Sequence, residues 1–190
     1  MSEASFNEEW QKRIKLIGDE LKSESDRTAA IVGAAWVEDE ITQSLKSYFD
    51  ASDETWNQLF SSSQGGALSS FGAKIKLVHL LKMVDNQAKK DLVEISRIRN
   101  EFAHHISDRN SRTEKLTFSS DVVRKMCDKL TCNVPAGPMP PRTAFTVACA
   151  KLGADFHMLR VVGVKVADAG TVRADTRPQH PATQPASSSG

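Results

Sequence analysis

Apolar residues recur at helical spacing along most of this chain. The first such series is Phe6, Trp10, Ile14, Ile17 and Leu21, whose intervals of three or four residues place all five on one side of a helix. Stripes of the same kind run through residues 30–49, 71–84, 88–102, 119–130 and 142–159. The pattern predicts an all-α, single-domain bundle of about five to seven helices.

The end of the chain has a different composition. From Ala167 onward the sequence consists mainly of Ala, Thr, Pro, Ser and Gly, with too few apolar side chains to offset the entropy lost on ordering. We therefore expect a helical domain over residues 1–166 and a disordered tail over residues 167–190. The segment VVGVKV at 161–166 fits either a frayed helix end or a short strand.

Short polar residues stand where the predicted helices begin, as N-caps require. The candidates are Ser25 or Asp26 for the second helix, Ser69 or Ser70 for the third main helix, and Ser119 or Ser120 for the helix at 119–130. Pro141 suits the first turn of the last helix. Gly65 and Gly66, inside the loop SSSQGGALSS, suit a backbone with positive φ.

Charge and hydropathy exclude several classes of partner. The chain has 25 basic and 24 acidic residues and a formal net charge of +1, so no overall field attracts nucleic acid or an anionic membrane. Any contact with nucleic acid must be local. The start MSEASFNEEWQKR lacks the apolar core of a signal peptide, and no apolar run approaches the roughly 20 residues that span a bilayer. We expect a cytoplasmic protein without membrane contact.

The three cysteines, Cys127, Cys132 and Cys149, do not form a recognisable metal or disulfide pattern. They are an odd number, without CxxC spacing or a matched histidine pair, and are expected to be buried or idle thiols. The sequence also lacks a glycine-rich phosphate loop, GxSxG and HExxH. We therefore predict no cofactor and no metal. The helix at 119–130 is the nearest candidate for a DNA-reading helix, and its residues do not fit that role.

The stretch RNEFAHH at 99–105 concentrates chemistry-bearing side chains at a helix end. Arg99 flanks the apolar stripe, so its stem is expected to pack while its guanidinium meets a specific partner. Asn100 and His104 are four residues apart and share a face, whereas Arg99 lies about 100° round the helix from Asn100. Arg99 and His104 can converge only if the last turn loosens or a second chain contributes.

A structural role for these residues is the alternative. Arg99 then pairs with an acid on the second helix, and Asn100 and His104 satisfy carbonyls at the helix end. The acids available are Glu38, Asp39 and Glu40. In this interpretation His105 is exposed. Lys74 and Lys76 form a solvated face unless they cluster with Arg99.

Five blocks carry a resemblance to a known family. In chain order they are DRTAAIVGAAWVEDEI, LFSSSQGGALSSFGAKIKLVHLL, ISRIRNEFAHH, LTFSSDVVRKMCDKL and PRTAFTVA. From about Asp26 to Ala150 the chain resembles the mannitol operon repressor (MltR) family, whose members are all-helical. Its arginine-to-histidine motif is similar to that of the wider HEPN superfamily, in which a long helical hairpin carries R-x(4 to 6)-H.

The resemblance implies a regulator that acts through protein–protein contacts in transcriptional regulation, with a protein partner that the sequence does not identify. A first alternative is a metal-independent HEPN-type ribonuclease. There His104 would transfer a proton at the ribose 2′-hydroxyl, Arg99 would stabilise the phosphorane and Asn100 would orient the pair. A second alternative is a non-catalytic module that binds nucleic acid or belongs to a toxin system.

Self-association is expected on two grounds. The second helix carries Trp36, Val37, Tyr48 and Phe49 over more than one face, which is more apolar surface than one neighbour covers. The resemblance adds that HEPN relatives commonly dimerise with their motif helices near the axis. We therefore expect a homodimer with Arg99 and His104 at or near the interface.

Overall fold

The chain folds into helices throughout the residues that the computed structural model describes, which are 3–49, 52–105, 115–131 and 139–162. Those residues form seven α-helices and one short 3₁₀ turn at Ser62–Gln64, with no strand among them, and the all-α prediction is confirmed. The helices are α1 Glu3–Lys22, α2 Asp26–Tyr48, α3 Asp53–Phe60, α4 Phe71–Leu80, α5 Asn86–His104, α6 Asp121–Cys127 and α7 Pro141–Val162. None of these helices combines the length and the hydropathy needed to cross a bilayer. Residues 163–190, with the predicted tail and most of VVGVKV, lie outside the described part.

Serine side chains cap two of the three helices for which the sequence predicts such a cap. Ser25 accepts a hydrogen bond from the amide of Thr28 at 3.2 Å, and Ser70 accepts one from the amide of Ala73 at 3.2 Å. Ser120 precedes α6 but does not cap it, because its hydroxyl accepts from the amide of Thr117 at 3.0 Å. The caps satisfy amides that would otherwise lack partners at helix starts.

The core is built around the packing of α2 along α7, with α1 and α5 on its flanks. The small residues Ala29, Ala30, Gly33 and Ala34 of α2 are buried, whereas Ala35 is exposed. On α1, Ile17 and Leu21 are buried and Trp10 and Ile14 are half-buried, while the Phe6 side chain lies outside the description. The buried residues of the two helices include Ala30, Gly33, Ala34, Val37, Ile41 and Leu45 of α2 and Phe145, Cys149, Leu152 and Phe156 of α7.

Two glycines allow this close approach of α2 and α7. A Cβ at Gly33 would lie 3.1 Å from Cδ1 of Leu21 and 3.2 Å from Cε1 of Phe145. A Cβ at Gly153 would overlap the indole ring of Trp36. The hydroxyl of Ser44 also donates to the carbonyl of Phe156 at 2.7 Å, so α2 and α7 share a buried hydrogen bond as well as apolar area.

Arg142, in the first turn of α7, joins three parts of the chain. Its Nη2 donates to the carbonyl of Leu21 at 2.9 Å and also to the carbonyl of Glu24, and its Nη1 donates to Oδ1 of Asp26 at 2.8 Å. The other oxygen of Asp26 accepts from the amide of Phe118 at 3.0 Å. Arg142 therefore supplies donors to carbonyls that the end of α1 leaves without helical partners.

The loop before α4 contains one of the two predicted positive φ angles. Gly65 has φ 66°, whereas Gly66 is required for a different reason, because a Cβ there would overlap the carbonyl of Leu59. After α4 ends at Leu80, the chain reverses through Lys82 at φ 61°. The apolar stripe predicted over residues 71–84 therefore continues beyond the end of α4.

Two features of side-chain exposure depend on the tertiary fold. Glu94 of α5 is 8% exposed, and Arg97 and Lys129 reach its carboxylate. Val37 is fully buried and Trp36 is packed on Gly153, whereas Tyr48 is half-buried and Phe49 is 37% exposed. The chain itself therefore covers only part of the apolar surface expected on α2, and the homodimer stays a prediction.

Two of the three thiols lie in the core. Cys127 and Cys149 are buried, as predicted, and Cys132 lies outside the described residues. Burial raises the pKa of the Cys127 thiol to about 12. A thiol in that environment stays protonated and unreactive near neutral pH.

Replacing Gly153 by alanine should destabilise the fold by about 1–3 kcal/mol, because the new methyl group overlaps the Trp36 ring. Urea unfolding followed by circular dichroism measures the change. Gly18→Ala is the matched control, since no atom lies within 4 Å of a Cβ there. Alanine at that mid-helix position should be neutral or stabilising by up to about 1 kcal/mol. An equal effect of the two substitutions would contradict the close α2–α7 contact.

Candidate functional site

The RNEFAHH motif forms the C-terminal end of α5, and α2 fixes that end. The buried residues Ile98 and Phe102 hold the last turns of α5 against the core. Arg27 on α2 donates to the carbonyls of Ala103 and His105, each at 3.3 Å. The helix-end role that sequence reasoning assigned to Asn100 and His104 is thus filled by Arg27.

Arg99 lies beside Glu38, one of the three acidic residues of α2 that the sequence suggested as its partner. Its Nη2 lies 3.8 Å from Oε2 of Glu38, and its Nη1 donates to Oδ1 of Asn100 at 3.0 Å. The side chain is 38% exposed, so the expected burial of Arg99 is only partial. An ion pair this open to water contributes little to stability.

Lys74 on α4 is the stronger partner of Glu38. Its Nζ donates to Oε1 of Glu38 at 2.8 Å, and its side chain is 9% exposed. Lys76 is exposed, as predicted for a solvated face, whereas Lys74 meets the exception to that prediction, because it clusters with Arg99 at Glu38. Lys74 and Arg99 cluster around one carboxylate, which joins α2, α4 and α5.

His105 is half-buried rather than exposed as expected, and its Nε2 is buried with no hydrogen-bond partner among the described residues. His104 is exposed. Asn100 is exposed as well. His104 lies five positions after Arg99, which is about 140° round the helix axis. Within the described residues no hydrogen bond joins Arg99 to His104, so one chain does not bring them together.

A second charged cluster, which sequence reasoning missed, lies between α1, α2 and α7. Glu40 is 3% exposed, and its Oε1 accepts from Nη2 of Arg13 at 2.7 Å. Its Oε2 lies 3.4 Å from Nη2 of Arg160 and 3.7 Å from Nδ1 of His157. The available signal was the position of Glu40 between Val37 and Ile41 on the buried side of α2.

His157 is neutral in this cluster. Nη2 of Arg160 lies 2.8 Å from Nδ1 of His157, and because a guanidinium only donates, Nδ1 must accept. Burial lowers the pKa of His157, and the neighbouring Arg13 and Arg160 lower it further, against the opposing effects of Glu40 and Glu9. Among the described residues, Oε2 of Glu40 and Nε of Arg13 are buried without a hydrogen-bond partner. The cluster is therefore an incompletely paired charge network.

Neither cluster has the composition of a metal centre. In the described part of the chain, no three or more His, Cys, Asp or Glu side chains are grouped so that they could hold an ion. The motif offers donors and one exposed imidazole, and the Glu40 cluster offers buried ion pairs. The end of α5 is the part of the site open to a partner.

Removing Lys74 should destabilise the protein more than removing Arg99. Lys74→Ala leaves a mostly buried carboxylate of Glu38 without its close cation, a change that costs about 3–5 kcal/mol. Arg99→Ala removes an exposed contact worth about 0.2–1 kcal/mol. Urea unfolding compares the two variants, with the exposed Lys76→Ala as the control. A larger loss in Arg99→Ala would show that Arg99 is the structural partner of Glu38.

Acid should destabilise the fold through His157. Because its pKa is lowered below the ordinary 6.5 in the folded state, the unfolded chain takes up the proton first. This stabilisation is complete above about pH 6.5 and is lost as the pH falls through the lowered pKa. Urea unfolding at successive pH values measures the loss, which His157→Gln should reduce. An unchanged acid dependence in that variant would assign the effect to other groups.

Comparisons of the chain with protein-family models, with curated proteins and with solved structures found no match in any of the three. The resemblance to the mannitol operon repressor family stays a prediction from the residues, and the function has to be argued from the geometry of the site.

Proposed function

We propose that this chain is a cytoplasmic regulatory protein, similar to the mannitol operon repressor family, which acts through protein–protein contacts and does not cleave RNA. The observation that carries the proposal is the engagement of Arg99 by Glu38 and Asn100 within one chain. A catalytic arginine must be free to bind the transferring phosphoryl group. Here the guanidinium contacts a carboxylate that would repel that group.

The dimensions of α6 support a regulator without its own DNA-reading element. This helix, Asp121–Cys127, is the nearest candidate in the sequence, and it has only 7 residues, two of which are buried in the core. A recognition helix contacts bases with donors on its exposed face, and on that face of α6 Arg124 is already paired with Asp121 at 2.7 Å. Contacts with proteins are therefore the better-supported route to transcriptional regulation.

The ribonuclease remains the second candidate because one observation favours it. Asn100 and His104 are both exposed on one face at the end of α5, where a second copy could approach them. A two-fold axis near this end would bring the two motifs together in a homodimer. The same face would also serve a non-catalytic module that binds nucleic acid or a toxin-system partner.

Purified protein incubated with labelled RNA in EDTA should give no cleavage above a His104→Ala control, because the guanidinium of Arg99 contacts Glu38 and Asn100. Gel electrophoresis of the RNA measures the products. Metal-independent cleavage that disappears in both His104→Ala and Arg99→Ala would replace the regulatory proposal with the ribonuclease.

Light scattering on the same sample determines whether a composite site can form at all. A homodimer is the expected mass, and it leaves both functions open to the cleavage measurement. A monomeric mass at micromolar concentration would eliminate the homodimer and the composite nuclease together. The surviving function would then be a monomeric binding domain.

A further inference from the structure

The imidazole ring of His157 lies among charged side chains from three helices. Its Nδ1 lies 2.8 Å from Nη2 of Arg160, also on α7, and 3.7 Å from Oε2 of Glu40 on α2. Its Nε2 lies 3.9 Å from Oε1 of Glu9 on α1. Arg13 of α1 completes the set of charged groups that act on the ring. The ring therefore faces two carboxylates and two guanidinium groups.

The neutral ring can serve only one of its two neighbours at Nδ1. A guanidinium has donors and no acceptor, so Nδ1 accepts from Arg160, and the single proton of the neutral imidazole is on Nε2. That nitrogen faces the carboxylate of Glu9. Oε2 of Glu40 receives no hydrogen from the ring and is buried without a hydrogen-bond partner among the described residues. A buried carboxylate oxygen in this state favours any rearrangement that supplies a donor.

Protonation reverses the role of Nδ1. Both nitrogens of an imidazolium are donors, so Nδ1 can no longer accept from Arg160, and two N–H groups would point at each other. The acceptor on the other side of Nδ1 is the unpaired Oε2 of Glu40, at 3.7 Å. A movement of about 1 Å brings these two atoms to the length of a charge-assisted hydrogen bond. Protonation therefore favours Glu40 over Arg160 as the partner of the ring.

The backbone beside His157 is fixed, whereas the side chain that must leave is not. The hydroxyl of Ser44 donates to the carbonyl of Phe156 at 2.7 Å, and both residues are buried. Ser44 lies one turn after Glu40 on α2, and Phe156 directly precedes His157 on α7. By contrast, the side chain of Arg160 is 32% exposed. Its guanidinium can therefore turn into solvent while α2 and α7 stay in place.

We propose that His157 is a proton-operated switch, in which uptake of one proton from solvent exchanges a hydrogen bond from Arg160 for one to Glu40. In the neutral state Arg160 is held by the ring. In the protonated state Glu40 is held by the ring, and the guanidinium of Arg160 is released at the last turn of α7. Burial and the nearby guanidinium groups lower the pKa of His157, so the exchange takes place on the acid side of the ordinary value of 6.5.

The consequence of the switch is a change of surface charge at one place. Acidification places the free cation of Arg160 at the end of α7, where the neutral state holds it against the ring. The last turn of α7 thereby reports the acidity of the solution. The switch stands apart from the proposed function, because none of its groups belongs to the motif at the end of α5.

Nuclear magnetic resonance on the full chain labelled with ¹⁵N tests the switch. In neutral solution the ¹⁵N shifts of His157 should identify the tautomer whose proton is on Nε2. On acidification the guanidinium signals of Arg160 should change with the same midpoint as the ring, and their exchange with solvent should become faster. In His157→Gln the change at Arg160 should disappear, because a glutamine side chain does not titrate.

Arg160→Ala tests the competition for Nδ1 from the other side. The midpoint of His157 should shift to higher pH in this variant, because it lacks both a cation that opposes protonation and the donor that favours the neutral ring. Lys12→Ala is the matched control. It removes one positive charge at an exposed position of α1 and should leave the midpoint nearly unchanged. Circular dichroism at each pH confirms that the protein is folded.

Four results would overturn the switch. The first is a neutral tautomer whose proton is on Nδ1. The second is a response of Arg160 that does not follow the midpoint of His157, or that persists in His157→Gln. The third is a midpoint that stays unchanged or falls in Arg160→Ala. The fourth is loss of the fold before the ring titrates, because the exchange would then not operate in the native protein.

Discussion

Helices α2 and α7 lie close together because small residues stand where they meet, and the other helices depend on that contact. Gly33 and Gly153 remove the side-chain volume that would push the helices apart at Phe145 and Trp36. Native interiors are packed so densely that one added methyl group at such a point lowers the stability of the fold. Packing against α7 fixes the orientation of α2. In that orientation Glu38 faces α4 and α5, and Glu40 faces α1. The two charged clusters are thus consequences of one apolar contact.

Most of the fold could be predicted because it depends on local spacing. The stripes along the chain indicated the long helices, and Ser25 and Ser70 cap the helices that they were expected to open. The burial of Glu40 and Glu94 was not predictable in the same way. Glu40 lies on the buried side of α2, but its cations Arg13 and Arg160 come from α1 and α7. Glu94 is paired with Arg97 of its own helix, and Lys129 reaches it from beyond α6. A local pattern cannot show a partner that only the tertiary fold supplies.

The candidate site was predictable in its members but not in its geometry. The position of Arg99 beside the apolar stripe indicated an acidic partner on α2, and Glu38 is that partner. The exposure of His104 and the half-burial of His105 depend on how α5 ends, and Arg27 from α2 fixes that end. The role of Lys74 likewise required knowing where α4 lies. The sequence therefore identifies the residues that carry suitable chemical groups, whereas tertiary packing determines which of them are exposed and which are paired.

The hydrogen bonds of Arg142 can form only after α7 has been synthesised, because Arg142 lies in the first turn of that helix. Its partner Asp26 precedes it by 116 residues, and the carbonyl of Leu21 precedes it by 121. While only α1 to α6 have been synthesised, the turn between α1 and α2 lacks its closing donor. Gly33 then also lacks Phe145 and Cys149 of α7, which contact it in the finished fold. Contacts so distant in sequence form late. Until α7 is made, the surface of α2 at Gly33 is therefore without the side chains that later cover it.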